Sequence, residues 1–454
     1  MGPKAAGMAE NLALHVQRLQ LGTAGGHHRR RARRADLSVV PAASAAIATQ
    51  GVAQQQTEIR ELLLPAFKSS DHTTFLLQSE NGDPVPGFQV AYGNTLHTGA
   101  HLLVVVDEEG VVSIIDTSQH GQCSEQPTQP RASIFESVKC RWIAHRNAVF
   151  DVIWSHDDRQ LLTASGDLFV SGWDVETQRS VFKLQGHQMS VKCVRQVPAQ
   201  AHLFASGARD GNVLIWDTRT NGKPVANLEN VHSTPEPIAS SSGSSTFTSP
   251  PSARKRRKPP VAAAPRSVTC IEFGAHGHEL VTGGAVDSVV KFWDVRRLTT
   301  SDHFKPTAFS SRPVHTISCS SSSIVGGRAN HGISSLAFDH THSKLLVNVL
   351  NDAIKVIDIH AAPGTAPLIQ CSGHLATSFY VKAAFSPESD FVIGGSADGA
   401  AYIWNATTTT TTSGNTSSRG PRVALKGHTS DVNGVAWHKH DFTKVATCSD
   451  DGTR

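Results

Sequence analysis

Two stretches of this chain repeat one another, and a repeat of this kind leaves few folds open. LFASGARDGNVLIWDTR, residues 203–219, and LVTGGAVDSVVKFWDVR, residues 280–296, share an apolar run, a patch of small residues, an acidic turn, a second β-rich run and a closing Trp-Asp-x-Arg. Such self-similarity belongs to chains in which one supersecondary unit recurs, because a single unit cannot bury its own apolar face. The rest of the chain falls on the same register. Aligned on the Trp slot, successive units end at Ile115, Trp173, Trp216, Trp293, Ile357 and Trp404, and a seventh runs from the Gly-His at 427–428 to Arg454.

A second signal repeats with the first. His145, His187, His374 and His428 stand 22 to 24 residues ahead of Asp167, Asp210, Asp398 and Asp451. A buried imidazole can bond the turn carboxylate while a strand hydroxyl such as Ser206 or Thr163 links it to the indole N–H of the slot, at Trp173 or Trp404, so that each buried polar group has a partner. A catalytic reading of these pairs fails, since a pair present once per unit is structural. Runs such as AVFDVIWS and YVKAAFS alternate as half-buried strands do. With a most compact period of 43 residues, Trp173 to Trp216, they predict an all-β fold, a seven-bladed β-propeller whose last blade is incomplete at residue 454.

The propeller is expected over residues 58–454, closed by pairing an N-terminal strand with the last blade. EIRELLLPAF and HTTFLLQS, near its start, each read as a strand. Residues 1–57 carry only two acidic residues and no core pattern, and are expected to be disordered. Their Arg-rich composition fits a nuclear basic tail or an organelle transit peptide. Polar insertions at 233–265 and 407–420 are expected to be disordered loops. The first holds the run Arg254, Lys255, Arg256, Arg257 and Lys258, a candidate nuclear import signal; HHRRRARR at 27–34 is a second.

Composition narrows the function classes. The seven Cys include no CxxC pair, so reduced thiols in an intracellular compartment are expected. No apolar run reaches the roughly 18 residues a spanning helix needs, and no membrane association is expected. The 24 His fall singly or in the repeat, without ligand spacing. No metal, cofactor or catalytic residue is expected, and no phosphate loop, nucleophile motif or unrepeated acid–base set is present. Net charge is +4, and direct nucleic-acid binding is not expected.

The Gly-His and Trp-Asp motifs resemble those of WD-repeat proteins across roughly residues 88–454. Arg occupies the position after Trp-Asp-x only in units three and four, which places Arg219 and Arg296 at equivalent points of adjacent blades. Trp216, Asp217 and Arg219, with Trp293, Asp294 and Arg296, resemble the box by which WD-repeat substrate receptors dock onto damaged-DNA-binding protein one, the adaptor of cullin-4 RING ubiquitin ligases. The strings AHRNAVFDVIW, GHQMSVK, TSFYVKAAFSP and DFTKVATCSDDGT are similar to the denticleless family. That resemblance implies a non-catalytic, nuclear receptor that targets PCNA-bound replication regulators for ubiquitination. The alternative is a WD-repeat scaffold of a chromatin or RNA-processing complex. The sequence stops before the third strand of blade seven and lacks the family's C-terminal tail, so either a fragment or a poorly folding product with an open sheet edge is expected.

Overall fold

The computed structural model describes residues 54–67, 74–95, 101–118, 138–220, 222–232, 266–297, 312–319, 331–360, 365–407 and 417–453. Of the segments expected to be disordered, 1–57, 233–265 and 407–420, the described residues include only 54–57, which are helical, with 407 and 417–420; the rest lies outside them, as do both basic runs. A compact unit spans Thr57–Arg454.

Among the described residues this unit is a β-propeller. Six sheets have four or five strands, and a seventh has two. In sequence order the innermost strands are Gly87–Tyr92, Val149–Trp154, Val191–Gln196, Val268–Phe273, Ile333–Phe338, Ala383–Phe385 and Val432–Trp437. Each is followed outward by antiparallel partners; in blade two these are Gln160–Ser165, Phe169–Asp174 and Ser180–Gln185. Apolar clusters lie between neighbouring blades, as where Ile215 and Leu228 of blade three pack with Ile271 and Trp293 of blade four.

Because successive strands run antiparallel, the loops divide between two faces. The His-bearing connections and the Asp turns share one face; the loops that follow each Trp-Asp share the other. Along the channel Arg195 joins three blades, its Nη1 lying 2.6 Å from Asp151 and its Nε 2.6 Å from Glu272. A cavity of about 710 Å³ opens from there toward the second face.

Seven blades with an incomplete last one were expected; the structure has six full blades and, in the seventh place, a sheet of Val432–Trp437 and Val445–Ser449 only. Its open side meets residues 74–78 through a bridge between Leu76 and Thr453, with Leu77 N–H donating to Gly452 O at 2.6 Å. HTTFLLQS therefore contributes a single bridged residue at the closure, and a second between Gln78 and Pro84, instead of a full strand.

EIRELLLPAF departs further from expectation, for residues 54–63 are helical and Leu64–Ala66 form a 3₁₀ turn. Gln, Glu, Leu and Arg are strong helix formers, and Pro65 disfavours continuing the α-helix past Leu64. The segment buries Leu64 among Phe391, Ile393 and Trp437, and Arg60 pairs with Glu388 and Asp390.

The Thr/Ser insertion also needs correcting at its end. Ser417–Arg419 forms a parallel fifth strand on Ile369–Cys371. An exposed sheet edge offers backbone groups to any side-chain sequence, and Arg419 is pinned by its Nη1 to Asn405 Oδ1 at 2.8 Å and its Nη2 to Thr407 O at 2.7 Å.

Candidate protein-docking site

The internal network comes first, because it fixes where the strand ends point. His145 Nδ1 lies 3.0 Å from Asp167 and its Nε2 2.7 Å from Thr163 Oγ1, which also accepts the Trp173 indole N–H at 3.0 Å. Burial works against ionisation of Asp167, yet the bond to His145 holds its carboxyl at about 2. His187, Asp210, Ser206 and Trp216 repeat the arrangement at 2.8 to 3.1 Å. In the seventh sheet His428 reaches Asp451 at 3.3 Å and Thr447 at 2.8 Å.

Two points differ from the sequence expectation. His374 and Asp398 do not pair: Asp398 accepts the Tyr402 hydroxyl at 2.6 Å, and His374 Nε2 has only a long 3.4 Å contact to Asn348. Gly394 stands where Thr163, Ser206 and Thr447 stand, four residues ahead of the turn Asp. Without that hydroxyl, Trp404 donates to Ser372 O instead. The second difference is a member the sequence pattern missed. His232 bonds Asp287 at 2.7 Å and Thr282 at 3.1 Å, with the Trp293 indole on the same hydroxyl. Insertion 233–265 hides it; taking those residues out restores the usual separation.

Each slot strand ends in an Asx turn on the second face. Asp116, Asp174, Asp217, Asp294, Asp358 and Asn405 accept backbone N–H groups two or three residues on. In blades three and four the same carboxylate also holds a guanidinium. Arg219 Nε and Nη2 reach Asp217 at 2.9 and 2.7 Å, and Arg296 Nε and Nη2 reach Asp294 at 3.0 Å each. Asp217 and Asp294 are held below the usual carboxylate range first by these arginine bonds. Both arginine side chains remain about two-thirds exposed, at 64% and 66%. Each is thus a flat fork, held along one edge by its aspartate and largely exposed.

Trp216 and Trp293 do not belong to this surface. At 1% and 4% exposure they position the turns through the network and cannot touch a partner, whereas Asp217, Arg219, Asp294 and Arg296 can.

A family model described as WD domain, G-beta repeat matches residues 137–174, 178–217, 262–294, 366–405 and 420–453. The matched segments omit the first three strands of blade five and of blade one, where Ile357 and Ile115 fill the Trp slot. The chain is 33% identical to the denticleless protein homolog of Mus musculus over 392 residues, 85% of this chain and 48% of that protein. It is 32% identical to the Homo sapiens homolog over 86% of this chain and 49% of that protein. This is a denticleless-like WD-repeat protein. The Drosophila melanogaster protein lethal(2)denticleless is 30% identical to it over 77% of this chain and 42% of that protein. The denticleless-like chain spans about half the length of the relatives it matches. Its two arginine forks stand exposed at equivalent strand ends of adjacent blades.

Proposed function

We propose that this denticleless-like propeller is the substrate-recognition subunit of a cullin-4 ubiquitin ligase. In this reading it docks through damaged-DNA-binding protein one and presents PCNA-bound replication and cell-cycle regulators for ubiquitination. The observation that carries the reading is the pair of guanidinium forks, Arg219 and Arg296, at equivalent strand ends of neighbouring blades. A planar fork suits carboxylate and carbonyl partners, and holding it on an aspartate lowers the entropy lost when a partner arrives. Nuclear residence, driven by residues 254–258 with 27–34 as a second signal, belongs to the same reading.

Interface arginines commonly cost about 2 kcal/mol or more on truncation, roughly a 30-fold loss of affinity for each. Arg219→Ala with Arg296→Ala is therefore expected to abolish capture of the adaptor in a pull-down. Thermal melting of the same samples should stay near wild type, because exposed ion pairs contribute little to stability. Glu176→Ala, at the matching position of blade two, should leave capture unchanged. Full capture by a folded double variant would favour the chromatin or RNA-processing scaffold instead.

A further inference from the structure

The turn that ends blade four departs from the repeat at one exposed position. Three residues past the slot aspartate stand Thr177 in blade two and Thr220 in blade three, and both close their turn on itself. Thr177 Oγ1 donates to Asp174 Oδ1 at 2.7 Å, and Thr220 Oγ1 to Asp217 O at 2.8 Å. Blade four has Arg297 there. Val295–Arg297 form a 3₁₀ turn whose first residue is buried in the apolar cluster of blades three and four. Residues three apart eclipse in such a turn, which carries the Arg297 side chain back toward Asp294. Its Nε nevertheless stays 3.7 Å from Asp294 Oδ2, beyond hydrogen-bond reach, because Arg296 already holds that carboxylate with Nε and Nη2. Arg297 has no other ion pair among the described residues, and its side chain is 73% exposed.

The two strand ends therefore differ in charge. Blade three balances one carboxylate with one guanidinium, whereas blade four sets two guanidiniums on one carboxylate. Glu279, the cross-strand neighbour of Asp294, turns away: its carboxylate lies over Gly274, where burial raises its pKa and His315 and His360 oppose the rise. Arg219 and Arg296 each use the Nε edge of the fork on their own aspartate. Arg297 makes no hydrogen bond through that edge, and a guanidinium presenting it takes a carboxylate through two parallel N–H bonds. We propose that Arg297 is a specificity-determining residue of the adaptor-docking face, its guanidinium taking a carboxylate of the adaptor in a two-bond pair. This rests on the adaptor reading above and deepens it, since it requires a partner that sets an Asp or Glu over blade four.

The test measures association and dissociation rates of purified damaged-DNA-binding protein one on the immobilised full chain by biolayer interferometry. Arg297→Ala should weaken binding about tenfold or more, as expected for losing charge-assisted hydrogen bonds. Arg297→Lys keeps the charge and loses the fork, so it should associate like wild type and dissociate faster. Arg159→Ala removes another exposed cation of the same face and should leave the dissociation rate unchanged. In a double-mutant cycle against alanine variants of the adaptor's acidic residues, one carboxylate should lose its effect once Arg297 is truncated. Wild-type affinity of Arg297→Ala, wild-type dissociation of Arg297→Lys, equally fast dissociation of Arg159→Ala, or the absence of a coupled carboxylate overturns the inference. The adaptor reading survives such a result if Arg219→Ala with Arg296→Ala still abolishes capture. Failure of the wild-type chain to bind the adaptor overturns both.

Discussion

His374 illustrates how one missing hydroxyl changes a residue's chemistry. Its Nδ1 is buried without a hydrogen-bond partner among the described residues, and burial pulls the ring from 6.5 down to about 4. The folded state thus keeps it neutral where the unfolded chain would protonate it. Stability from this group is present above about pH 6.5 and is lost as pH falls through the window to 4, since the unfolded state binds more protons there. Asp107 runs the other way, burial raising it to about 6, so the effect must be read as a difference between two proteins. His374→Phe, which keeps a ring beside Trp404, should lose less stability than wild type between pH 6.5 and 4, by roughly 3 kcal/mol. Urea denaturation at both pH values checks it, and equal losses would show that His374 does not carry the dependence. The network around His145, His187 and His428 was legible because spacing alone identifies partners brought together in each blade. Gly394 was equally visible in the sequence, and its consequence follows once the hydroxyl is seen as the junction of the network. His232 was hidden because an insertion changes chain separation without changing spatial separation.

Among the elements, strands were easier to read than the segment that clasps them. Strand-like runs mark every full blade and a turn Asp marks blades two, three, four and six, whereas EIRELLLPAF offers only a short apolar run, which periodicity cannot assign to helix or strand. What decides is tertiary: one face of the turn at Leu64 fills the space beside Phe391 and Trp437. Phe67 completes it with edge contacts to Trp437 and Phe442 at 6.1 and 6.0 Å. Leu64→Ala should therefore cost about 2–5 kcal/mol through lost burial and a residual cavity. Leu62→Ala, at a side chain that is 72% exposed, should stay within about 0.5 kcal/mol. Equal shifts in thermal melting for the two would mean that the clasp adds nothing to the fold. The arginine forks were legible as a motif, but their attachment to Asp217 and Asp294, and the burial of the neighbouring tryptophans, depended on how the Asx turn closes.

At the scale of the whole unit, six blades pack on neighbours close in sequence, while the seventh sheet meets residues 74–78. Leu77 is 2% exposed and shares a cluster with Val90 and Cys448, so the bridge from Leu76 to Thr453 is backed by packing. Contacts between segments so distant in the chain carry the full loop-closure cost and are rewarded late. Leu77→Ala should then leave the folding rate nearly unchanged and speed unfolding in urea by about tenfold or more, followed by tryptophan fluorescence. Slower folding with unchanged unfolding would place this contact in the nucleus instead. The last-formed seam of a ring is also the first to part, so the lifetime of the folded molecule is set at Leu77 and Gly452, far along the chain from the strong repeats that make the fold recognisable.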